Sequence, residues 1–173
     1  QFNEDDFEAT LRNLLERHHI DPARLKLELT ESVLIAGLEP VAEKMASLKA
    51  LGLSFSLDDF GTGFSSLAYL RRLPVSELKI DRSFVAAAAE NDRDAALVRS
   101  IRAIATDLGL ETVAEGVETP AQLAFLEATG CRIFQGYLFG RPMPLDDFER
   151  AVLAPQQRLA PSAERPSPRL AAV

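Results

Sequence analysis

The sequence predicts an α/β fold with parallel strands, and three observations carry that expectation. Short runs rich in strand-forming residues alternate with longer segments of helical period. Glycine or proline marks most of the changeovers, and each apolar run delivers a charged or amide side chain at or near its C-terminal end. Strands that alternate with helices pair in parallel, because each helix returns the chain to the same end of the sheet. Five such strands suit a doubly wound open sheet or part of an eight-stranded barrel, and periodicity does not choose between them.

The elements can be justified in order. A first helix spans about Asp5 to His18, with Phe7, Leu11, Leu14 and Leu15 on one face. The pair His18-His19 then reads as a solvated helix end, where partial positive charge suits the dipole. Leu25 to Thr30 is the first strand. Pro40 to Leu51 is a helix striped by Val41, Met45 and Leu48, and Gly52 closes it. Ser54 to Asp58 is the second strand, Ser65 to Leu73 a short helix ended by Pro74, and Glu77 to Asp81 the third strand. The longest helix runs from Asp92 to Leu108, striped by Leu97, Ile101, Ile104 and Leu108, before Gly109. Glu111 to Glu115 is the fourth strand. Thr119-Pro120-Ala121-Gln122 is a capping box with proline at the first helical position, opening a helix that ends before Gly130. Arg132 to Tyr137 is the fifth strand and Leu145 to Leu153 the last helix.

Composition narrows the class. A chain of 173 residues can bury one core. No apolar run approaches the ~20 residues of a membrane helix, and the first residues lack a signal-peptide pattern. The lone Cys131 excludes an internal disulfide, reads as a packed core thiol, and suits a reducing, cytoplasmic setting. A net charge of −7 disfavours long nucleic acid as a partner. With only 2 histidines beside that cysteine there is little to build a zinc site, so any metal is expected to be hard and oxygen-liganded. The chain opens on Gln1, which reads as a fragment or a processed product. From Ala154 to Val173 it carries four prolines and no aromatic residue, and a disordered tail is expected there, beyond a domain of residues 1–153.

The strand ends carry the chemistry. The first strand presents Glu28 and leads into Glu31, the second ends in Asp58-Asp59, and the third contains Lys79 and Asp81. The fourth ends at Glu115, with Glu118 just beyond, and the fifth contains Gln135 before Gly136. Singly, each has an ordinary explanation as a cap, a turn residue or an exposed strand residue. Together they mark the C-terminal rim, where ligands bind in parallel folds. Converging carboxylates repel unless cations neutralise them, so a metal site is the natural reading. Phe60-Gly61-Thr62-Gly63 fits no phosphate-loop spacing and reads as a flexible active-site loop.

At these same residues the sequence resembles the EAL family. Glu-Leu-Thr-Glu-Ser (28–32), Leu-Asp-Asp-Phe-Gly-Thr-Gly-Phe-Ser-Ser-Leu (57–67) and Leu-Lys-Ile-Asp-Arg-Ser-Phe-Val (78–85) occur in family order. Ala-Glu-Gly-Val-Glu-Thr (114–119) and Gln-Gly-Tyr-Leu-Phe-Gly-Arg-Pro (135–142) follow with family-like spacing. The resemblance covers Gln1 to about Val152. It implies a TIM-barrel-like fold and metal-dependent hydrolysis of cyclic di-GMP to the linear dinucleotide, in bacterial second-messenger signalling. Two divalent ions, Mg²⁺ or Mn²⁺, would activate the attacking water. Glu28, Asp58, Asp59 and Glu115 would hold them. Lys79 would hold or polarise the water and a nearby phosphate, Gln135 would help fix the site near the water, and Glu31 would anchor the loop from Asp58 to Gly63. Asp81 and Glu118 would orient their neighbours.

The segment Glu-Ala-Leu that names the family is absent, as is the family's Asn-containing strand. About five of eight strands therefore remain, and the chain alone is expected to be inactive or feeble even where its parent is an enzyme. A receptor or scaffold that binds the dinucleotide without turnover is the alternative from another class. The resemblance further implies upstream sensory or GGDEF-type domains, a possible membrane anchor in those upstream segments, and a homodimer.

Overall fold

The computed structural model describes residues 1–4, 6–61, 67–153 and 169–170. Helices α1 (Phe7–Arg17), α2 (Leu38–Ala50), α3 (Leu67–Leu70), α4 (Arg82–Ala88), α5 (Asp92–Asp107), α6 (Pro120–Ala128) and α7 (Leu145–Leu153) connect strands β1 (Lys26–Thr30), β2 (Ser54–Phe60), β3 (Glu77–Ile80), β4 (Glu111–Ala114), β5 (Ile133–Phe134) and β6 (Arg169–Leu170). The strands lie in chain order β1-β2-β3-β4-β5-β6, and every neighbouring pair is parallel. That is the α/β arrangement expected. Of the expected tail, only Arg169 and Leu170 are described; they pair beside Ile133 and Phe134.

Period-two alternation sorts the sheet into two faces. Phe55 and Leu57 of β2 are buried with Leu78 and Ile80 of β3, Met45 and Leu48 of α2, and Val98 and Ile101 of α5. Each fully buried side chain of this kind contributes about 1.5–3 kcal/mol. The opposite face is polar. Lys26 pairs with Glu77 and Glu28 with Lys79, each ion pair reaching from β1 across β2 to β3. The two pairs have reversed polarity, so a slip of two residues would set Lys26 against Lys79. That repulsion specifies the register that carries the site.

Several expectations need correction. Leu14 is exposed, and of the face proposed for α1 only Leu15 is fully buried. In α5 the buried stripe is Ala95, Val98, Ile101 and Ala105, with Leu97 exposed. Ile101 belongs to both stripes, and Ile104 and Leu108 pack against the core from its edge, so the inward face is turned by part of a helical turn from the expected one. The third strand stops at Ile80. Asp81 instead caps α4, a helix the sequence reading left out, by accepting the Ser83 N–H at 2.9 Å. Helix α3 ends at Leu70, and the Arg72 and Leu73 N–H groups both close on the Tyr69 carbonyl before Pro74. Ser65 and Ser66, assigned to that helix, and Asp5, assigned to the first, lie outside the described residues. The fifth strand is only two residues long, because the chain turns at Gln135 to bond with the segment after β4.

Candidate active site

Strand β2 brings two consecutive acids to one place by breaking its own alternation. Leu57 pairs with Leu78 and Phe60 with Ile80, so Asp58 and Asp59 together stand opposite Lys79. This is a β-bulge, and Asp59 takes up the distortion with φ of +54°. Without it, neighbouring residues would point to opposite faces. Aspartate tolerates the left-handed region better than most non-glycine residues, because its short polar side chain can bond locally. Here the Asp59 N–H donates to Asp58 Oδ1 at 3.0 Å.

Lys79 is the hub. Its side chain is 4% exposed, and its ammonium lies 2.7 Å from Glu28 Oε2, 3.3 Å from Asp58 Oδ1 and 2.6 Å from Glu115 Oε1. Three acids from β1, β2 and the end of β4 thus meet one cation from β3. Burial alone would lower the lysine pKa, but the bonds to Glu115 and Glu28 outweigh it and raise the value above the usual lysine range. Lys79 is thus placed to donate to all three acids.

Asp58, Asp59 and Glu115 each offer a carboxylate oxygen, and these atoms lie within 4.8 Å of one another. An all-oxygen acidic donor set fits a hard divalent cation. Burial is the largest influence on Glu115 and pushes its carboxyl upward against the pull of Lys79; Asp58 and Glu28 push the same way. The single ammonium is shared among three acids, so no one of them is fully compensated. Asp59 is raised too, by burial first and then by Asp58 and Asp81. Asp81 goes the other way: burial opposes it, but bonds from Ser83 hold its carboxyl below the ordinary range.

These shifts predict a pH dependence. A carboxyl with a raised folded-state pKa adds stability that is complete below its ordinary value and drains away as pH rises through the raised one. For Glu115 that window opens upward from 4.5. In chelator, thermal midpoints of the wild type should fall as pH rises above 4.5 more than those of Glu115→Gln. Parallel curves would show that Glu115 titrates as an ordinary carboxylate.

The remaining residues proposed from the sequence are placed as follows. Glu31 follows β1, and its Oε1 accepts the Gly61 N–H at 3.1 Å, at the start of the loop after β2. Thr62 and Gly63 of that loop lie outside the described residues. Glu28 reaches Lys79 but is not in the trio of clustered oxygens. Glu118 is exposed. Gln135 sits just past β5; its N–H donates to the Ala114 carbonyl at 2.9 Å, and its carbonyl accepts the Val117 N–H at 3.0 Å. Sequence reasoning missed the role of Gly136. A Cβ there would lie 2.2 Å from the Val117 carbonyl oxygen and 2.3 Å from its nitrogen. The Gln-Gly pair was the available signal, since close backbone approach is one thing only glycine permits.

Residues 1–142 match the EAL domain family. The chain is 47% identical over 152 residues to the bifunctional diguanylate cyclase/cyclic di-GMP phosphodiesterase MucR of Pseudomonas aeruginosa. That match covers 88% of this chain and 22% of the relative, so the chain spans about a fifth of that protein's length. The solved cyclic di-GMP complex of the Pseudomonas MucR phosphodiesterase superposes with a TM-score of 0.81, covering 85% of this chain and 60% of that one at 47% identity. The manganese and cyclic di-GMP complex of BlrP1 from Klebsiella pneumoniae superposes at 0.74 with 32% identity, covering 82% of this chain and 36% of that one. The parallel sheet is therefore the TIM-barrel-like sheet of those domains, and this chain belongs to the EAL domain family.

Proposed function

We propose that this chain is the metal-binding, lysine-bearing part of a domain that hydrolyses cyclic di-GMP to the linear dinucleotide. The observation that carries the reading is the cluster of Asp58, Asp59 and Glu115 beside a buried Lys79, on the C-terminal rim of a parallel sheet. Relatives named as cyclic di-GMP phosphodiesterases support the choice of substrate.

In this reading Asp58, Asp59 and Glu115 would hold two divalent ions, with Glu28 on the same side. Mg²⁺ or Mn²⁺ is the choice that the all-oxygen donor set favours. When bound, such ions lower the pKa of water and neutralise phosphoryl oxygens during in-line displacement. The protein's own groups do the rest. Lys79 donates an N–H to the attacking water or to a phosphoryl oxygen, which favours negative charge where it develops. Gln135 offers an amide beside the same strand end to orient the water. Glu31 holds the loop after β2 through the Gly61 N–H, Asp81 fixes Asp59 and the start of α4, and Glu118 serves through its backbone. The proposal extends to a cytoplasmic domain of a longer signalling protein with sensory or GGDEF-type neighbours, acting as a homodimer on the dinucleotide and not on long nucleic acid. No helix among the described residues is long and apolar enough to cross a membrane.

The test is hydrolysis by the full-length protein that carries this domain. Linear dinucleotide should form in Mg²⁺ or Mn²⁺, and chelation should abolish it. Binding of cyclic di-GMP by folded protein without product would overturn the enzymatic reading and leave a receptor.

A further inference from the structure

Gln122 touches no member of the carboxylate cluster, yet its side chain is tied to both halves of the site. It is buried, with 9% of its surface exposed. Its Oε1 accepts two successive backbone N–H groups, from Glu118 at 2.8 Å and Thr119 at 2.9 Å. Its Nε2 donates to the Ala86 carbonyl of α4 at 3.3 Å. Its own N–H completes the capping box by donating to Thr119 Oγ1. A capping box alone needs only the bond to Thr119; the bonds to Glu118 and Ala86 go further.

Those bonds lie at the two exits that must stay in register. The segment Glu115 to Thr119 runs from the catalytic end of β4 to α6. It is held at Glu115 by the Ile80 carbonyl, at Val117 by the Gln135 carbonyl, and at Glu118 and Thr119 by Gln122. Helix α4 begins three residues after Lys79, directly behind the cap Asp81. One amide therefore braces the β4 exit, which carries Glu115, against the helix launched from the β3 exit, which carries Lys79. The Lys79–Glu115 contact of 2.6 Å spans the same two exits.

We infer that Gln122 is a positioning residue for the site, setting the placement of Glu115 relative to Lys79 through the Glu115–Thr119 segment. The inference rests on the hydrolytic reading above and names a residue that makes the geometry, not the chemistry. A misplacement of catalytic groups on the order of 1 Å can cost about 10²-fold in rate, so a loss of moderate size is expected.

The experiment compares Gln122→Met and Gln122→Glu in the full-length protein, by steady-state hydrolysis and by Mn²⁺ titration calorimetry. Methionine keeps the length and removes every side-chain bond. It should lower kcat about tenfold or more with KM little changed, well below its unfolding temperature, and weaken Mn²⁺ binding. Glutamate keeps an acceptor for Glu118 and Thr119 but has no donor for the Ala86 carbonyl, so its kcat should also fall, by less than that of Gln122→Met. Wild-type kcat and Mn²⁺ affinity in Gln122→Met would overturn the inference, as would wild-type kcat in Gln122→Glu, which would leave Gln122 an ordinary capping-box residue. If Gln122→Met fails to fold, Gln122→Asn, one methylene too short to reach both partners, is read on the same scale. A wild type that binds Mn²⁺ but forms no product would instead sink the hydrolytic reading, and the Mn²⁺ affinities of the variants would still decide the role of Gln122.

Discussion

Replacing Lys79 with methionine in the full-length protein is expected to lower cyclic di-GMP hydrolysis about 10²–10³-fold, the usual cost of removing a positioned donor from a site of developing charge. The same change should destabilise the metal-free protein. Asp58 and Glu115 have side chains 21% and 16% exposed, and without the ammonium they would face each other and Glu28 with no internal cation. Removing one partner of a buried ion pair costs about 3–5 kcal/mol; the half-exposed Glu28 and the water that reaches Asp58 reduce this to about 2–3 kcal/mol. Saturating Mn²⁺ should return much of the stability but not the rate, because the ions replace the lost charge and not the donor. Arginine should fail to rescue activity, since its planar fork cannot occupy a pocket shaped for one point charge between three acids. Activity of Lys79→Met within tenfold of wild type would remove Lys79 from the mechanism.

The second large effect concerns a residue without chemistry. Gly136→Ala is expected to destabilise the domain by about 3 kcal/mol or more, read from urea midpoints. Its Cβ would meet the oxygen, nitrogen and carbon of Val117 at 2.2, 2.3 and 2.7 Å, and all three are backbone atoms that no rotamer change can move aside. Relief requires the two strand exits to separate. That would break the Val117 N–H bond to the Gln135 carbonyl and the Leu138 N–H bond to the Val117 carbonyl, 3.0 and 2.9 Å long. Gln135 and Glu115 are carried by those same exits, so activity should fall together with stability. A variant within ~1 kcal/mol of wild type would mean that the approach relaxes at little cost.

Much of this site was legible in the sequence because its groups sit where strands end. Glu28 and Lys79 each stand between two apolar residues of a strand and Glu115 follows Val-Ala, and parallel connections leave those positions at one rim whatever the details of packing. The acidic composition likewise pointed to an oxygen-liganded cation before any distance was known.

Tertiary structure decided the rest, and for physical reasons that local pattern does not encode. Period two would send Asp58 and Asp59 to opposite faces; the bulge that brings them together arises from how β2 meets β3. Asp81 looked like a strand end because it follows Leu-Lys-Ile, but the Ser83 N–H makes it a cap, and the alanine-rich α4 begins there. The inward face of α5 was set by how the helix is rotated against the sheet, which buries Ala95, Val98 and Ala105 with Ile101 and leaves Leu97 exposed. Gln122 could be read locally as half of a capping box, whereas its reach to Ala86 exists only once α4 and α6 lie side by side. The sequence by itself determined the alternation of strands and helices and the identity of the groups on the rim, because both depend on residues near one another in the chain. The distances that would make those groups a site, between residues as far apart as Glu28 and Glu115, depend on register, bulge and close backbone approach, which only the assembled sheet supplies.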